Sequence, residues 1–344
     1  MHAPGPAGAT RSPHPRRPHR RAFRASACIL GAIVGLALLT PALPLELPDR
    51  TRTDRALQPP TWHGDDGFWL HDAEPAARLA ELTAWDRQLV RLRQSLFGRR
   101  CLPPLCGRDG LGRCLLSRIG WGARLSIAVG LCAGLIALVC GVTYGAVAGY
   151  FGGWVDQFLM RAVDVLYGVP FIFVVIFLIT VFRDPDRHGD AAHGSNLPIF
   201  FGVMGLVSWL TMARVVRGQV LSLREREYVT AARSLGARPS EVMIRHLLPN
   251  LAPVVVVYLT LTIPRIMLLE SFVSFLGLGV QAPAVSWGLL ARDAFEVMNP
   301  LDTPWWLVVW PALALGTTLF CLGVLGDTLP SVVGIQRETG QQRR

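Results

Sequence analysis

Six stretches of this chain, residues 25–45, 125–155, 165–182, 191–213, 247–264 and 303–326, contain no Asp, Glu, Arg or Lys. Crossing the hydrocarbon core of a bilayer as a helix takes about 20 predominantly apolar residues. Most of the runs reach that length. The 165–182 and 247–264 runs are marginal, and 125–155 is long enough to include a surface turn at 149–153. In lipid, backbone polar groups must be satisfied within the spanning element itself, which restricts such runs to helices. The pattern therefore predicts an all-α polytopic membrane protein with about six transmembrane helices. A soluble helical core would show amphipathic periodicity instead. Composition agrees, with 51% hydrophobic and 17% charged residues.

Between the fourth and fifth runs lies a cationic insert, residues 222–250, that must sit on a water face. It reads as two short helices. Helix formers extend from Arg224 to Leu235, and Gly236 suits the left-handed conformation that ends a helix. Arg238 is pushed out of helical geometry by Pro239, which itself suits a first helical position. Glu241 falls in the first turn, where negative charge favours the helix dipole. Pro249 is expected to close the second helix. Val229, Ala232, Leu235, Val242, Leu247 and Leu248 are expected to form a small buried seam.

This insert resembles the Glu-Ala-Ala (EAA) loop of ABC-transporter permeases: Glu-Ala-Ala, three residues, Gly, nine residues, Ile, one residue, Leu-Pro. Here the same spacing holds Thr230-Ala231-Ala232, Gly236, His246 and Leu248-Pro249. Thr230 and His246 depart from the pattern, and Thr230 removes the acidic residue. A second block, 107–119, is similar to the segment that leads into the second span of dipeptide and oligopeptide permeases, with Arg108 and Cys114 in place of Thr and Asp. Gly122–Ser126, Gly149–Asp156, Met160–Asp164, Glu270 with Ser274–Pro283, and Ser286–Gly288 follow in the right order. The likeness covers about 107–328, and the chain resembles the C-type permease of bacterial dipeptide/oligopeptide importers.

The resemblance implies a permease subunit of a binding-protein-dependent ABC importer in the bacterial inner membrane. Its implied partners are a second homologous permease, two ABC ATPase subunits, an extracytoplasmic substrate-binding protein and the lipid bilayer. Tyr228, Ala231, Ala232, Arg233, Leu235, Gly236, His246, Leu248, Pro249 and Asn250 would form the ATPase-coupling loop. The implied substrate is a peptide; nickel complexes or other small solutes are the alternative within the same family. No cofactor is implied.

Positive-inside reasoning places both termini in the cytoplasm, because Arg16, Arg17, Arg20, Arg21 and Arg24 precede the first run. The organisation expected is a basic disordered cytoplasmic tail (1–24), a first span (25–45), a long extracytoplasmic segment (46–118), a five-helix permease domain (119–328) with its loop at 222–250, and a cytoplasmic tail (329–344). Arg20-Arg21 ahead of an apolar run also resembles a secretory or twin-arginine signal. The length of the run and its Pro41 and Pro44 favour an uncleaved span. A charge of +10 and a helix–turn–helix pattern invite a nucleic-acid reading. A recognition helix tethered to a span at each end cannot enter a major groove, so no nucleic-acid partner is expected.

Every basic residue other than His is Arg, and without Lys the chain cannot carry a phosphate-cradling Gly-x-x-x-x-Gly-Lys loop. No nucleophile–base pair or metal-ligand spacing appears either, which argues against an intramembrane enzyme. The retained loop spacing argues against a scaffold or receptor. Cys101 and Cys106 fall in the external segment and admit a disulfide or free thiols; a metal site that also used Cys114 lacks suitably spaced His. Gly130, Gly134, Gly141, Gly145 and Gly149 share a helix face fit for close packing. Arg265 and Glu270 lie in the fifth span. Charges at such depth face a cavity or pair with each other, so they are candidates for the translocation path or for an internal ion pair.

Overall fold

In a computed structural model of the chain, residues 17–61, 70–71, 82–98, 100–182, 197–280, 283–299 and 303–333 are described. The helices are α1 (Arg17–Leu39), α2 (Ala84–Phe97), α3 (Leu115–Phe151), α4 (Gly153–Gly168), α5 (Phe171–Phe182), α6 (Leu197–Leu223), α7 (Glu227–Ser234), α8 (Pro239–Val242), α9 (Leu248–Phe275), α10 (Trp287–Val297) and α11 (Trp306–Val333). A single two-residue strand pair, β1 (Leu70–His71) with β2 (Arg100–Cys101), is the only sheet among the described residues. The chain is all-α and polytopic. Of the basic tail expected over 1–24, residues 1–16 lie outside the described residues, as do the 183–196 connection and the segment after 333, whereas 17–24 belong to α1.

Among the described residues five helices are long and apolar enough to cross a membrane, and α4 with α5 makes a sixth span only as a broken pair. The sequence suggested an unbroken third span over 165–182. Instead α4 ends at Gly168, and the axis turns by 90° before α5. Pro170 explains the break: the residue before a proline is disfavoured in helical geometry, and Val169 is extended. The first run also differs. Its helix ends at Leu39 and passes into a 3-10 turn, Thr40–Ala42, that carries Pro41.

Helix α3 is the axis of the molecule and packs most extensively against α6. The glycine face resolves into two contacts rather than one. Gly130 and Gly134 meet Met267, Ile263 and Leu259 of α9, while Gly141, Gly145 and Gly149 meet α6. At Gly145 an added Cβ would lie 2.3 Å from the Ala213 carbonyl oxygen, so only glycine lets the two backbones approach this closely.

Three apolar layers follow one another along α3. The first joins Ala123 to Trp287, Leu290 and Trp306, the second joins Val129 and Ala133 to Met204 and Ile266, and the third joins Ala146 to Val220, Val242 and Leu251. The third layer holds the loop between α6 and α9.

Candidate functional site

The loop is built from the end of α6. Val216 and Val220 are buried there, and the chain turns out through Arg224–Arg226 into α7. Helix α7 stops in a paired hydrogen-bond closure: Ala237 N–H donates to the Ala232 carbonyl at 3.1 Å, and Gly236 N–H to the Arg233 carbonyl at 2.9 Å. These are the six-to-one and five-to-two bonds of a Schellman cap, which needs a left-handed residue at the glycine position. Gly236 has φ +84°, as its sequence position suggested.

The second helix does not end at Pro249. Helix α8 continues through a π turn, Met243–Leu247, straight into α9, with Pro249 in the first turn of α9. Within this continuous run Pro249 has no N–H to donate, and the wider π turn just before it marks where the helix accommodates the proline ring. The loop is therefore continuous in backbone with a span, from Pro239 to Phe275.

The seam forms in part. Val229, Val242 and Leu247 are fully buried against Val216, Val220 and Leu251, and Leu248 is partly covered. Leu235 is not in the seam; it is 88% exposed, because the cap turns it outward at the tip. Tyr228 and Ile244 are also exposed. Arg233 lies over the Tyr150 ring at 4.7 Å, and the Tyr228 and His246 rings are 6.4 Å apart. Asn250 Nδ2 donates to the His246 carbonyl at 2.6 Å. Ala231 is exposed and Ala232 half-buried. The named loop residues thus share one small unit whose turn carries an exposed Leu235 between exposed Arg233 and Arg238.

Two arginines that sequence reasoning missed hold this unit to the bundle. Arg224 donates to the Gly149 carbonyl at 3.0 Å and lies against Gly152, where φ is +64°. Arg217 forks onto Asp156 at 2.5 and 2.6 Å, tying α6 to the start of α4. Their partners are about 60 to 75 positions away in sequence, and no local pattern announces such a pairing.

Arg265 and Glu270 separate. Arg265 lines a groove of about 550 Å³ with Ser208, Thr211, Thr262, Leu269 and Phe272, between α6 and α9. Glu270 is fully buried on another face of α9. Its carboxylate accepts from Ser274 Oγ at 2.8 Å, Ser126 Oγ at 3.2 Å and Ser271 Oγ at 3.3 Å. Ser126 Oγ in turn accepts the Trp287 N–H at 3.2 Å. In this structure Glu270 neither lines the groove nor pairs with Arg265, because five residues on a helix turn a side chain to a different face. The residue locks α3, α9 and α10 together.

At the opposite end of α3, Arg108 donates to both Glu46 oxygens at 2.8 and 3.0 Å and to the Gly112 carbonyl at 2.8 Å. Burial works against the Arg108 charge, but Glu46 more than offsets it, and the guanidinium is held above its ordinary pKa. Asp109 accepts from Arg113 and Arg118, which also reach Asp293 of α10. Cys101 and Cys106 are both buried and are not bridged to each other. Burial pushes the Cys106 thiol up to about 11 and the Cys114 thiol up to about 12. No cluster of metal-ligating side chains occurs among the described residues.

Residues 141–333 match a family model described as the binding-protein-dependent transport system inner membrane component. The chain is 41% identical over 242 residues to the dipeptide transport system permease protein DppC of Bacillus subtilis (strain 168), covering 69% of this chain and 71% of that relative. It is 45% identical over 223 residues to the oligopeptide transport system permease protein OppC of Escherichia coli (strain K12), covering 65% and 69% respectively. A solved MetNI methionine ABC transporter in inward-facing form is a looser likeness, with TM-score 0.49 and 17% identity over 63% of this chain and 95% of that one.

Proposed function

Since the chain belongs to the family of binding-protein-dependent transport system inner membrane components, we propose that it forms half of a translocation pathway for peptides, powered by ATPase subunits that dock on residues 228–250. The second half would be a homologous permease, and an extracytoplasmic binding protein would deliver the substrate. The chain itself is non-catalytic in this reading, with both termini and the loop on the cytoplasmic side. The dipeptide and oligopeptide names of the relatives support a peptide substrate.

The observation that carries the reading is the loop itself. It is a capped unit that leaves Leu235 at its turn, and Ile244 at the start of the span, uncovered by its own chain. It is continuous with the span that holds Arg265 and Glu270. Closure of an ATPase dimer would push the tip, and the unbroken helix from Pro239 would carry that motion into the bundle, rocking it between access states. Arg265, in the groove between α6 and α9, is the candidate for contact with solute.

The test uses the assembled complex. An added Cβ at Gly236 meets nothing within 4 Å, so the strain in Gly236→Val comes chiefly from its positive φ. Holding valine at this φ costs about 1–2 kcal/mol. Leu235→Asp changes an exposed tip without disturbing the seam. Both variants are expected to insert and fold, yet to lose ATPase binding or at least tenfold of peptide uptake, whereas Gly236→Asn stays near the parent. Parental ATPase association and uptake in both variants would refute the docking role.

A further inference from the structure

Helix α2 carries three clean stripes. Asp86, Val90 and Arg93 are buried against the rest of the chain. Arg87, Arg91 and Gln94 form a polar stripe, with Gln88 and Ser95 beside it. Trp85, Leu89, Leu92 and Leu96 recur at four-, three- and four-residue steps and so share one face. Trp85 is 60% exposed, Leu92 48% and Leu96 67%. A water-soluble segment would not present a row of large apolar side chains beside an arginine face without something to receive it.

Its anchors place this helix at a defined height. Helix α2 packs on Thr40–Ala42, the turn that ends α1. Arg124 Nη2 lies 2.7 Å from Asp86 Oδ1, and Arg124 is the last charged residue before the uncharged run 125–155 of α3. Arg93 donates to the Leu45 carbonyl, at the end of the first apolar run. Three contacts on two separate spans therefore fix α2 where both spans leave the hydrocarbon. The level is at the end of α3 remote from the coupling loop, since Gly149 and Gly152 meet Arg224 at the other end. Leu36, Leu38 and Leu39 of α1, next to this turn, are exposed too, so the apolar stripe continues the surface that α1 offers to lipid.

We propose that α2 is an interfacial helix lying in the membrane leaflet remote from the coupling loop. Trp85, Leu89, Leu92 and Leu96 enter the acyl boundary, and the exposed Arg91 faces phospholipid phosphates, beside Arg87, which donates to the Leu82 carbonyl at 3.1 Å. An amphipathic helix with cations on its polar face, and with an aromatic residue at headgroup depth, is suited to this position. The occupant of the stripe is phospholipid and not a second protein. The stripe is continuous with lipid-facing surface, it lies at the hydrocarbon boundary, and its flanking charge complements phosphate.

The test is made on the full chain in its complex, reconstituted into vesicles of phosphatidylethanolamine and phosphatidylglycerol. A genetically encoded nitroxide amino acid replaces Leu92, Leu96 or Arg91 in turn, and collision rates with oxygen and with a water-soluble nickel chelate are compared. At positions 92 and 96 oxygen is expected to exceed the chelate several-fold, with the ratio reversed at 91. Chelate dominance at 92 and 96 would mean a hydrated face. Exclusion of both reagents would mean that a protein covers it. Either result overturns the proposal, and if the label at 92 prevents assembly the reading at 96 decides.

Discussion

Glu270 shows how one side chain can be intramembrane, ionisable and structural at once. Its oxygens accept from three serine hydroxyls on two helices, and no cation among the described residues pairs with it. Glu270→Gln keeps an acceptor and adds donors that freely rotating hydroxyls can receive, so assembly is expected to survive. Glu270→Leu strands the hydroxyls, at roughly 1–3 kcal/mol for each group left unsatisfied. Thermal melting of the purified chain is expected to fall for Leu and not for Gln. Arg265→Met is expected not to rescue the Leu variant, because Arg265 lies in the groove. Rescue would restore the ion-pair account. Cys106 offers a second test at this scale. Burial raises its pKa to about 11, so the proton is held through neutral pH and the reactive thiolate is scarce. Alkylation in the folded chain is expected to be slow at pH 8 and to accelerate as pH rises towards 11, while the denatured chain reacts readily. Fast reaction at pH 8 in the folded state would contradict this seating. Topology mapping by thiol labelling is better served by a cysteine placed at an exposed position.

At the scale of elements, the contact between α3 and α6 depends on the absence of side chains. Gly145→Val would drive a Cβ onto the Ala213 carbonyl and the Arg217 backbone, neither of which can rotate away. Overpacking of this kind costs about 1–3 kcal/mol. Gly218, on α6, has nothing within 4 Å of an added Cβ and gives the matching control. Gly145→Val is expected to lower the melting temperature and the yield of folded protein, and Gly218→Val to lower neither. Equal effects would show that helix propensity, and not close approach, decides the contact. The same closeness shapes the coupling loop, because Arg224 reaches the Gly149 carbonyl only where α3 and α6 nearly touch.

Across the whole molecule, the segment before α3 is held by buried charge. Glu46 and Arg108 are both almost fully buried and are 62 residues apart, and Ser117 also donates to the Glu46 carbonyl. Removing one partner of such a pair leaves an uncompensated charge in the interior, at roughly 3–5 kcal/mol. Arg52 remains 3.6 Å from Glu46, so Arg108→Met is expected at the low end of that range. The double variant Glu46→Gln with Arg108→Met is expected to recover most of the loss, measured by thermal melting or limited proteolysis of residues 46–61. A double variant as unstable as the single would show that Arg108 acts through Gly112 and packing, and not through Glu46.

Much of this was legible along the chain. Uncharged runs of spanning length allow only helices in lipid, and the spacing through Gly236 and Pro239 states a helix, a left-handed stop and a second helix. Those are local properties, decided by solvation and by backbone sterics within a few residues. Three-dimensional packing decided the rest. The break at Val169–Pro170 became a 90° bend only through the placement of its flanking helices. Leu235 has the composition of a seam residue, yet the cap geometry turns it to solvent. Arg265 and Glu270 look like a pair in sequence but occupy different faces of α9, and Arg108 gains its meaning from a glutamate 62 positions away. Direction around a helix and contact between distant segments depend on how whole helices settle against each other, and no short window of residues contains that information.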